Sequence, residues 1–287
     1  MAKILSGKET AEEVLLKLRA KIVEADKREE NLPGLAVLLV GNDPASVLYV
    51  RNKKRACHKV GITFNDYCFC AQASEKDILE TLEFLNNDPA IFGIIVQLPL
   101  PKNIDTAKII NAISPAKDVD GFHPENIKKL LAAAIGNMEK DGILLTPPVL
   151  KSVITLLDFV EEPLAGKKGV IIAKNEIFAH PLAELMKLKK INLEIVSPDS
   201  KDINKLQDSD IIISAAGRPN FVKEEMIKED VIIIDVGTTL VDEKLIGDVD
   251  FKGCEDRASY ITPVPGGIGP LTVAYLLENV VRSWESN

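Results

Sequence analysis

Apolar residues fall along this chain in short unbroken runs, not in strict alternation. Residues 35–40 (LAVLLV) run into Gly41-Asn42-Asp43-Pro44, which predicts a buried strand and its turn. Ser46 then opens a helical stretch to Val60, stopped by Gly61. Residues 62–69 predict a second strand, 74–86 a second helix, 91–98 a third strand apolar on both faces, and 105–113 a further helix. Strands without alternation, separated by helices, predict a parallel sheet covered on both sides.

Residues 118–124 (DVDGFHP) interrupt this pattern with turn residues and predict a domain boundary. Residues 126–155 read as mostly helical, broken at Pro147-Pro148. Four apolar strand candidates follow, 169–173, 193–196, 210–215 and 231–236, recurring at about 20 residues as in a Rossmann-type βα repeat. Residues 260–264 lead into a Pro/Gly loop, and a terminal helix is expected from about residue 271 to residue 284, with Pro270 suited to its first turn. The expected fold is therefore α/β in two domains. Residues 1–120, completed by a C-terminal helix over 270–287, form an N-terminal catalytic domain with a parallel sheet, and residues 121–269 form a Rossmann-like nucleotide-binding domain. Open sheets take ligands at the C-terminal ends of their strands, so a small molecule in the crevice between the domains is expected.

Composition narrows the partners. The 287 residues are 46% hydrophobic and 27% charged, which excludes disordered and low-complexity classes. A net charge of -8 argues against a nucleic-acid binder, whose affinity would rest on neutralising phosphates. No apolar run approaches the roughly 18–20 residues that span a bilayer, and no signal-peptide or lipidation pattern is found, so a soluble cytoplasmic protein is expected. Four cysteines without a CxxC pair and three scattered histidines predict no metal site and no disulfide framework.

Four places carry candidate chemistry. Tyr49 and Lys53 stand one helical turn apart, and a lysine beside an aromatic hydroxyl can move protons if burial draws its pKa toward neutral. The alternative is a half-buried tyrosine beside a solvated run of basic residues. A short-chain dehydrogenase also spaces Tyr and Lys this way, but here no glycine-rich nucleotide turn precedes them. Gln97 breaks an apolar strand at its end, flanked by Val96 and Leu98. In Asp118-Val119-Asp120-Gly121 a carboxylate can grip an amidine-like edge, or simply close an Asx turn. Finally, the loop Pro265, Gly266, Gly267, Ile268 and Gly269 allows close backbone approach ahead of a helix N-terminus.

Taken in order and spacing, Gly41-Asn42-Asp43-Pro44-Ala45-Ser46 with Tyr49 to Lys54, Val96 to Pro101, Lys117 to Gly121, Gly247 to Phe251 and Ile261 to Thr272 resemble the bifunctional methylenetetrahydrofolate dehydrogenase/methenyltetrahydrofolate cyclohydrolase family. The resemblance implies a folate substrate, NADP or alternatively NAD as cofactor, a homodimer, and a place in one-carbon metabolism and purine biosynthesis. It implies Lys53 as the essential cyclohydrolase residue, Tyr49 packed on the folate and Gln97 holding Lys53 partly neutral. It also implies Asp120 on the pterin, and Val96, Leu98 and the loop from Pro265 to Gly269 lining the folate slot. Ala173, Lys174, Asn175, Ser197 and Thr238 occupy the matching nucleotide positions.

The departures lie in that nucleotide half. Ala173-Lys174-Asn175 stands where the family reads Gly-Arg-Ser, Pro198 stands where it has a serine, and Thr238 replaces an isoleucine. They predict weakened NADP binding, reduced discrimination against NAD and low dehydrogenase activity, with the cyclohydrolase retained. The rival readings are a cyclohydrolase with a degenerate nucleotide site, a folate-binding protein without turnover, and a two-domain dehydrogenase of amino-acid or shikimate type.

Overall fold

The computed structural model describes residues 1–136, 144–174 and 176–286. In chain order its elements are β1 (Lys3–Ile4), α1 (Lys8–Lys27), β2 (Gly34–Val40), α2 (Pro44–Val60), β3 (Thr63–Phe69), α3 (Glu75–Asn87), β4 (Ile91–Val96), α4 (Thr106–Asn111), α5 (Pro124–Ala134) and α6 (Pro148–Leu157). There follow β5 (Lys168–Ala173), α7 (Glu176–Leu188), β6 (Asn192–Val196), a 3-10 helix (Lys201–Asp208), β7 (Ile211–Ala215) and a short 3-10 turn (Glu224–Met226). The chain continues through β8 (Val231–Asp235), the hairpin β9 (Thr239–Val241) and β10 (Lys244–Ile246), α8 (Phe251–Cys254), β11 (Ala258–Ile261) and α9 (Ile268–Glu285). Part of the expected helical stretch 126–155 lies outside the described residues.

These elements gather into two compact units. One is made of Thr10–Ala132, residues 144–148 and residues 273–286; the other of Met1–Glu9, residues 133–136 and Val149–Thr272. The first holds a three-stranded parallel sheet in the order β3-β2-β4. All seven residues of β2 are buried, as its apolar run requires, because the strand is paired on both sides and covered on both faces. Leu35, Val37 and Leu39 meet Val50, Cys57 and Val60 of α2 and Leu276, Leu277, Val280 and Val281 of α9. Ala36, Leu38 and Val40 on the opposite face meet Ile78, Leu82 and Leu85 of α3. β3, at one sheet edge, has only half-buried and exposed positions, so within this sheet the two-sided burial expected of its strands is confined to β2 and β4.

Local chemistry sets the helix ends. The Asp43 carboxylate accepts from Ser46 N at 2.8 Å and Pro44 takes the first helical position, so α2 begins two residues before Ser46. Gly61, at φ 98°, ends it in the left-handed region that favours glycine. Ser74 and Asp77 form a reciprocal capping box at α3. α1, for which the apolar pattern predicts nothing, buries Ala11, Leu18, Ile22 and Ala25 along one stripe of an otherwise charged helix.

The second unit is a six-stranded sheet, β1-β11-β8-β7-β5-β6, with every strand pair parallel. From β5 the chain steps outward to β6, then returns past β5 to β7. This places a topological switch point between β5 and β7, the crevice where doubly wound sheets bind ligands. β1 extends the far edge by pairing with β11, which draws the first residues of the chain into this unit. Residues 118–124 lie within the other unit, tied to α5 by Asn126, whose amide donates to Asp118 Oδ2 at 3.0 Å.

Gly169 of β5 has no room for a side chain, since a Cβ there would land on the Ile211 carbonyl of β7. Gly169→Ala is expected to lose about 1–3 kcal/mol of stability by overpacking, read as a lower urea midpoint. An unchanged midpoint would show that β5 and β7 can separate freely.

Candidate active site

Gln97 directly follows β4, and its N–H donates to Leu38 O at 2.9 Å, continuing the sheet for one residue. Its side-chain oxygen accepts from Lys53 Nζ at 2.8 Å while its amide nitrogen donates to Leu98 O at 2.8 Å. An ammonium only donates, so this arrangement fixes which way the Gln97 amide faces. Tyr49 and Lys53 are half-buried on α2, and Cys57, one turn further, is wholly buried. Burial lowers the Lys53 pKa below the ordinary lysine value, against the Asp120 carboxylate and Cys57, which raise it. Burial raises the Asp120 pKa, opposed by Lys53. The expected contact between Gln97 and Lys53 is present, but desolvation, not the amide, draws the lysine toward neutrality. A neutral acceptor positions the amine without disfavouring its charge.

The two aspartates of the 118–121 turn divide the work. Asp118 is buried and closes the turn: Oδ1 accepts from Gly121 N at 3.1 Å, and Oδ2 accepts from His123 N at 2.8 Å and Asn126 Nδ2 at 3.0 Å. Gly121 sits at φ 73° with Pro147 N only 2.7 Å from where a Cβ would stand. Asx-turn chemistry thus belongs to Asp118, leaving Asp120 next to Lys53. On α9 the buried Asn279 donates to Val119 O at 2.9 Å and Thr146 O at 2.8 Å, and Ser283 donates to Ala116 O at 2.8 Å, holding the same turn. Sequence reasoning missed Asn279; its signal is a polar residue on an apolar helix face. Val96 is buried in the core with Ile104 and Ile109, and Leu98 is half-buried.

The loop of Pro265, Gly266, Gly267, Ile268 and Gly269 belongs to the second unit. Gly266, at φ 123°, accepts from Gly7 N at 3.0 Å through its carbonyl, and Gly267 N donates to Pro263 O at 2.8 Å. α9 starts at Ile268, so Ile268 and Gly269 form its first turn with Pro270.

At the switch point, Ala173 is the buried last residue of β5 and Lys174 follows exposed, its Nζ 3.5 Å from where a Cβ on Gly217 would stand. Asn175 lies outside the described residues. Ser197 follows β6 exposed, and Thr238 precedes β9 half-buried. Two buried carboxylates, given no role from the sequence, hold these strand ends. Asp248 Oδ2 accepts from Ser214 Oγ at 3.0 Å, Ala216 N at 2.6 Å and Gly217 N at 3.1 Å, and its Oδ1 accepts from Arg218 N at 2.8 Å. Asp235 accepts from Gly237 N at 3.0 Å, Asp248 N at 3.1 Å and Val249 N at 2.9 Å. Burial pushes the Asp235 carboxyl up to about 7; the Val249 N–H opposes the rise and the Asp248 charge adds to it.

The fold and these residues define a class: a two-unit α/β enzyme with a desolvated lysine at the end of one parallel sheet and a doubly wound nucleotide-type sheet in the other unit. The family description "Tetrahydrofolate dehydrogenase/cyclohydrolase, catalytic domain" matches residues 5–120, and its "NAD(P)-binding domain" counterpart matches residues 147–287. The chain is 41% identical over 286 residues to the bifunctional protein FolD of Aquifex aeolicus, covering 99% of this chain and 96% of that one. It is 42% identical to that of Halothermothrix orenii, with 99% and 98% covered. A crystal structure of the Campylobacter jejuni bifunctional enzyme FolD superposes with a TM-score of 0.87 at 36% identity, covering 99% of both chains. The Trypanosoma brucei enzyme, complexed with NADP cofactor and inhibitor, superposes with a TM-score of 0.89 at 32% identity, covering 99% of this chain and 97% of that one. The chain belongs to the tetrahydrofolate dehydrogenase/cyclohydrolase family. It is an enzyme with both halves in one chain.

Asp235 ties pH to stability. A carboxyl whose folded pKa lies near 7, against an ordinary 3.8, stabilises the fold fully below 3.8 and loses that contribution as pH rises through about 7. The stability advantage of the wild type over Asp235→Asn is therefore expected to shrink from about pH 4 to about pH 8 in urea titrations. An advantage that stays flat from about pH 4 to about pH 8 would mean that the carboxyl is ionised throughout.

Proposed function

We propose that the chain oxidises 5,10-methylenetetrahydrofolate to 5,10-methenyltetrahydrofolate and hydrolyses that cation to 10-formyltetrahydrofolate. The observation that carries the hydrolytic half is the Lys53–Gln97 hydrogen bond of 2.8 Å, on a lysine whose pKa burial lowers. The neutral amine accepts a proton from the water that attacks the methenyl carbon. The ammonium then returns a proton to the folate nitrogen as the ring opens, and one proton leaves in the overall balance. Gln97 aims the amine, and Asp120 supplies the opposite charge that stabilises the ammonium as it forms. Asp120 also accepts from the pterin's amidine-like edge, and Tyr49 packs on the folate. For the loop Pro265 to Gly269 we keep the folate-lining role that the resemblance implies.

The residues of the second unit fit a nicotinamide dinucleotide. The β7 strand end turns at Gly217, at φ 61°, beside the Lys174 ammonium, an open backbone corner at the switch point with a cation for phosphate. When bound, that cofactor, NADP or NAD, accepts the hydride; Lys174, Ser197 and Thr238 would hold it, with Ala173 at the close-approach position. A match to the NAD(P)-binding domain across residues 147–287 disfavours a bare cyclohydrolase or a binder without turnover. A cytoplasmic homodimer is the expected state, checked by light scattering of the purified protein.

Lys53→Met is expected to abolish methenyl hydrolysis while leaving folate binding near that of the wild type; brisk hydrolysis in that variant would move the chemistry elsewhere. Asp120→Ala is expected to weaken folate binding about ten- to a hundred-fold, the value of about 1.5–3 kcal/mol for a charged acceptor. It also removes the charge that raises the Lys53 pKa, so the alkaline rise in hydrolysis should move to lower pH. Unchanged affinity together with an unmoved pH profile would reduce Asp120 to a bystander.

A further inference from the structure

In doubly wound sheets the end of the second strand lies where the adenosine ribose is read. A carboxylate there accepts from the 2′-hydroxyl of NAD, whereas NADP requires a cation for its 2′-phosphate. The second strand here is β6, and it runs into Ser197-Pro198-Asp199-Ser200. The turn is closed on itself: Ser197 Oγ accepts from Asp199 N at 3.3 Å and Ser197 O accepts from Ser200 N at 3.0 Å, with Pro198 buried at the bend. The Asp199 side chain stands out from it, 71% exposed.

Arg218, just beyond β7, is the guanidinium at this strand end, and it is already engaged. Its Nη2 donates to Asp199 Oδ1, its Nη1 donates to Pro198 O at 3.4 Å, and the group lies 5.5 Å from the centroid of the Phe221 ring. Its own backbone N–H is fixed on Asp248 at 2.8 Å. An exposed ion pair is weak and can be separated, so discrimination rests on charge, not on the strength of the pair. Asp199 with Arg218 is a neutral pair. A 2′-phosphate placed there must break that pair and then stand beside an unscreened carboxylate, while a 2′-hydroxyl simply donates to it. Among the described residues, Lys174 stands at the switch point beside Gly217, and Lys201 follows Ser200 exposed.

We propose that Asp199 sets the choice of dinucleotide, favouring NAD over NADP by receiving the ribose 2′-hydroxyl and keeping Arg218 from a 2′-phosphate. This rests on the NAD(P) reading of the unit. Calorimetric titration with NAD and with NADP, followed by hydride-transfer kinetics with each, tests it, and methenyl hydrolysis reports that each variant is folded. The wild type is expected to bind NAD at least about ten-fold more tightly than NADP, the worth of one charged hydrogen bond. Asp199→Ser should weaken NAD and strengthen NADP by about ten-fold each as Arg218 is released, and adding Arg218→Ala should remove the NADP gain. A wild-type preference for NADP, or a ratio of affinities that Asp199→Ser leaves in place, overturns the selectivity role while the NAD(P) reading stands. Binding of neither dinucleotide to the folded wild type overturns both.

Discussion

A carboxylate taken out of water must find donors or surrender its charge, and both units of this chain are organised by that requirement. In one, Asp118 collects two backbone N–H groups and the Asn126 amide and so closes the turn that carries Asp120. In the other, Asp248 collects four donors from Ser214 to Arg218, and Asp235 fixes the segment that contains Asp248. Each acid satisfies backbone groups at a strand end that no ladder reaches. Irregular loops next to ligand positions thereby become as determinate as the strands they leave.

The chemistry then depends on a second use of burial. Lys53 and Asp120 each lose solvation, and each offsets part of the other's loss. Burial draws the lysine below its ordinary value while the Asp120 carboxylate pulls it back up, a balance suited to taking a proton and giving it back. Gln97 contributes direction: its oxygen points at Nζ because its nitrogen is held by Leu98 O. Aim and acidity are set by different groups.

Much of this could be read from residues in order. The runs that became β2, β4, β5, β7 and β8 are apolar because those strands are covered on both faces. The Tyr49–Lys53 spacing and the polar break at Gln97 marked two segments that the fold joins through the Lys53–Gln97 hydrogen bond. α1 escaped because its four buried residues are diluted among glutamates and lysines. The order β6-β5-β7, the docking of β1 on β11 and the pairing of Asp199 with Arg218 are contacts between segments far apart in sequence, which no local pattern encodes. The split between Asp118 and Asp120 was invisible for a different reason: two identical residues in one short turn differ only in which way the backbone faces them.

The packing of α9 has a consequence for how the protein is made. Leu276, Leu277, Val280 and Val281 cover the same face of β2 that Val50, Cys57 and Val60 cover, although more than two hundred residues separate them from that strand. During synthesis at about 5–20 residues per second, the sheet bearing Lys53 therefore emerges long before its last covering layer. It must wait with Leu35, Val37 and Leu39 incompletely shielded while the nucleotide-type strands from β5 to β11 are translated. The sheet that is completed first in translation is covered last.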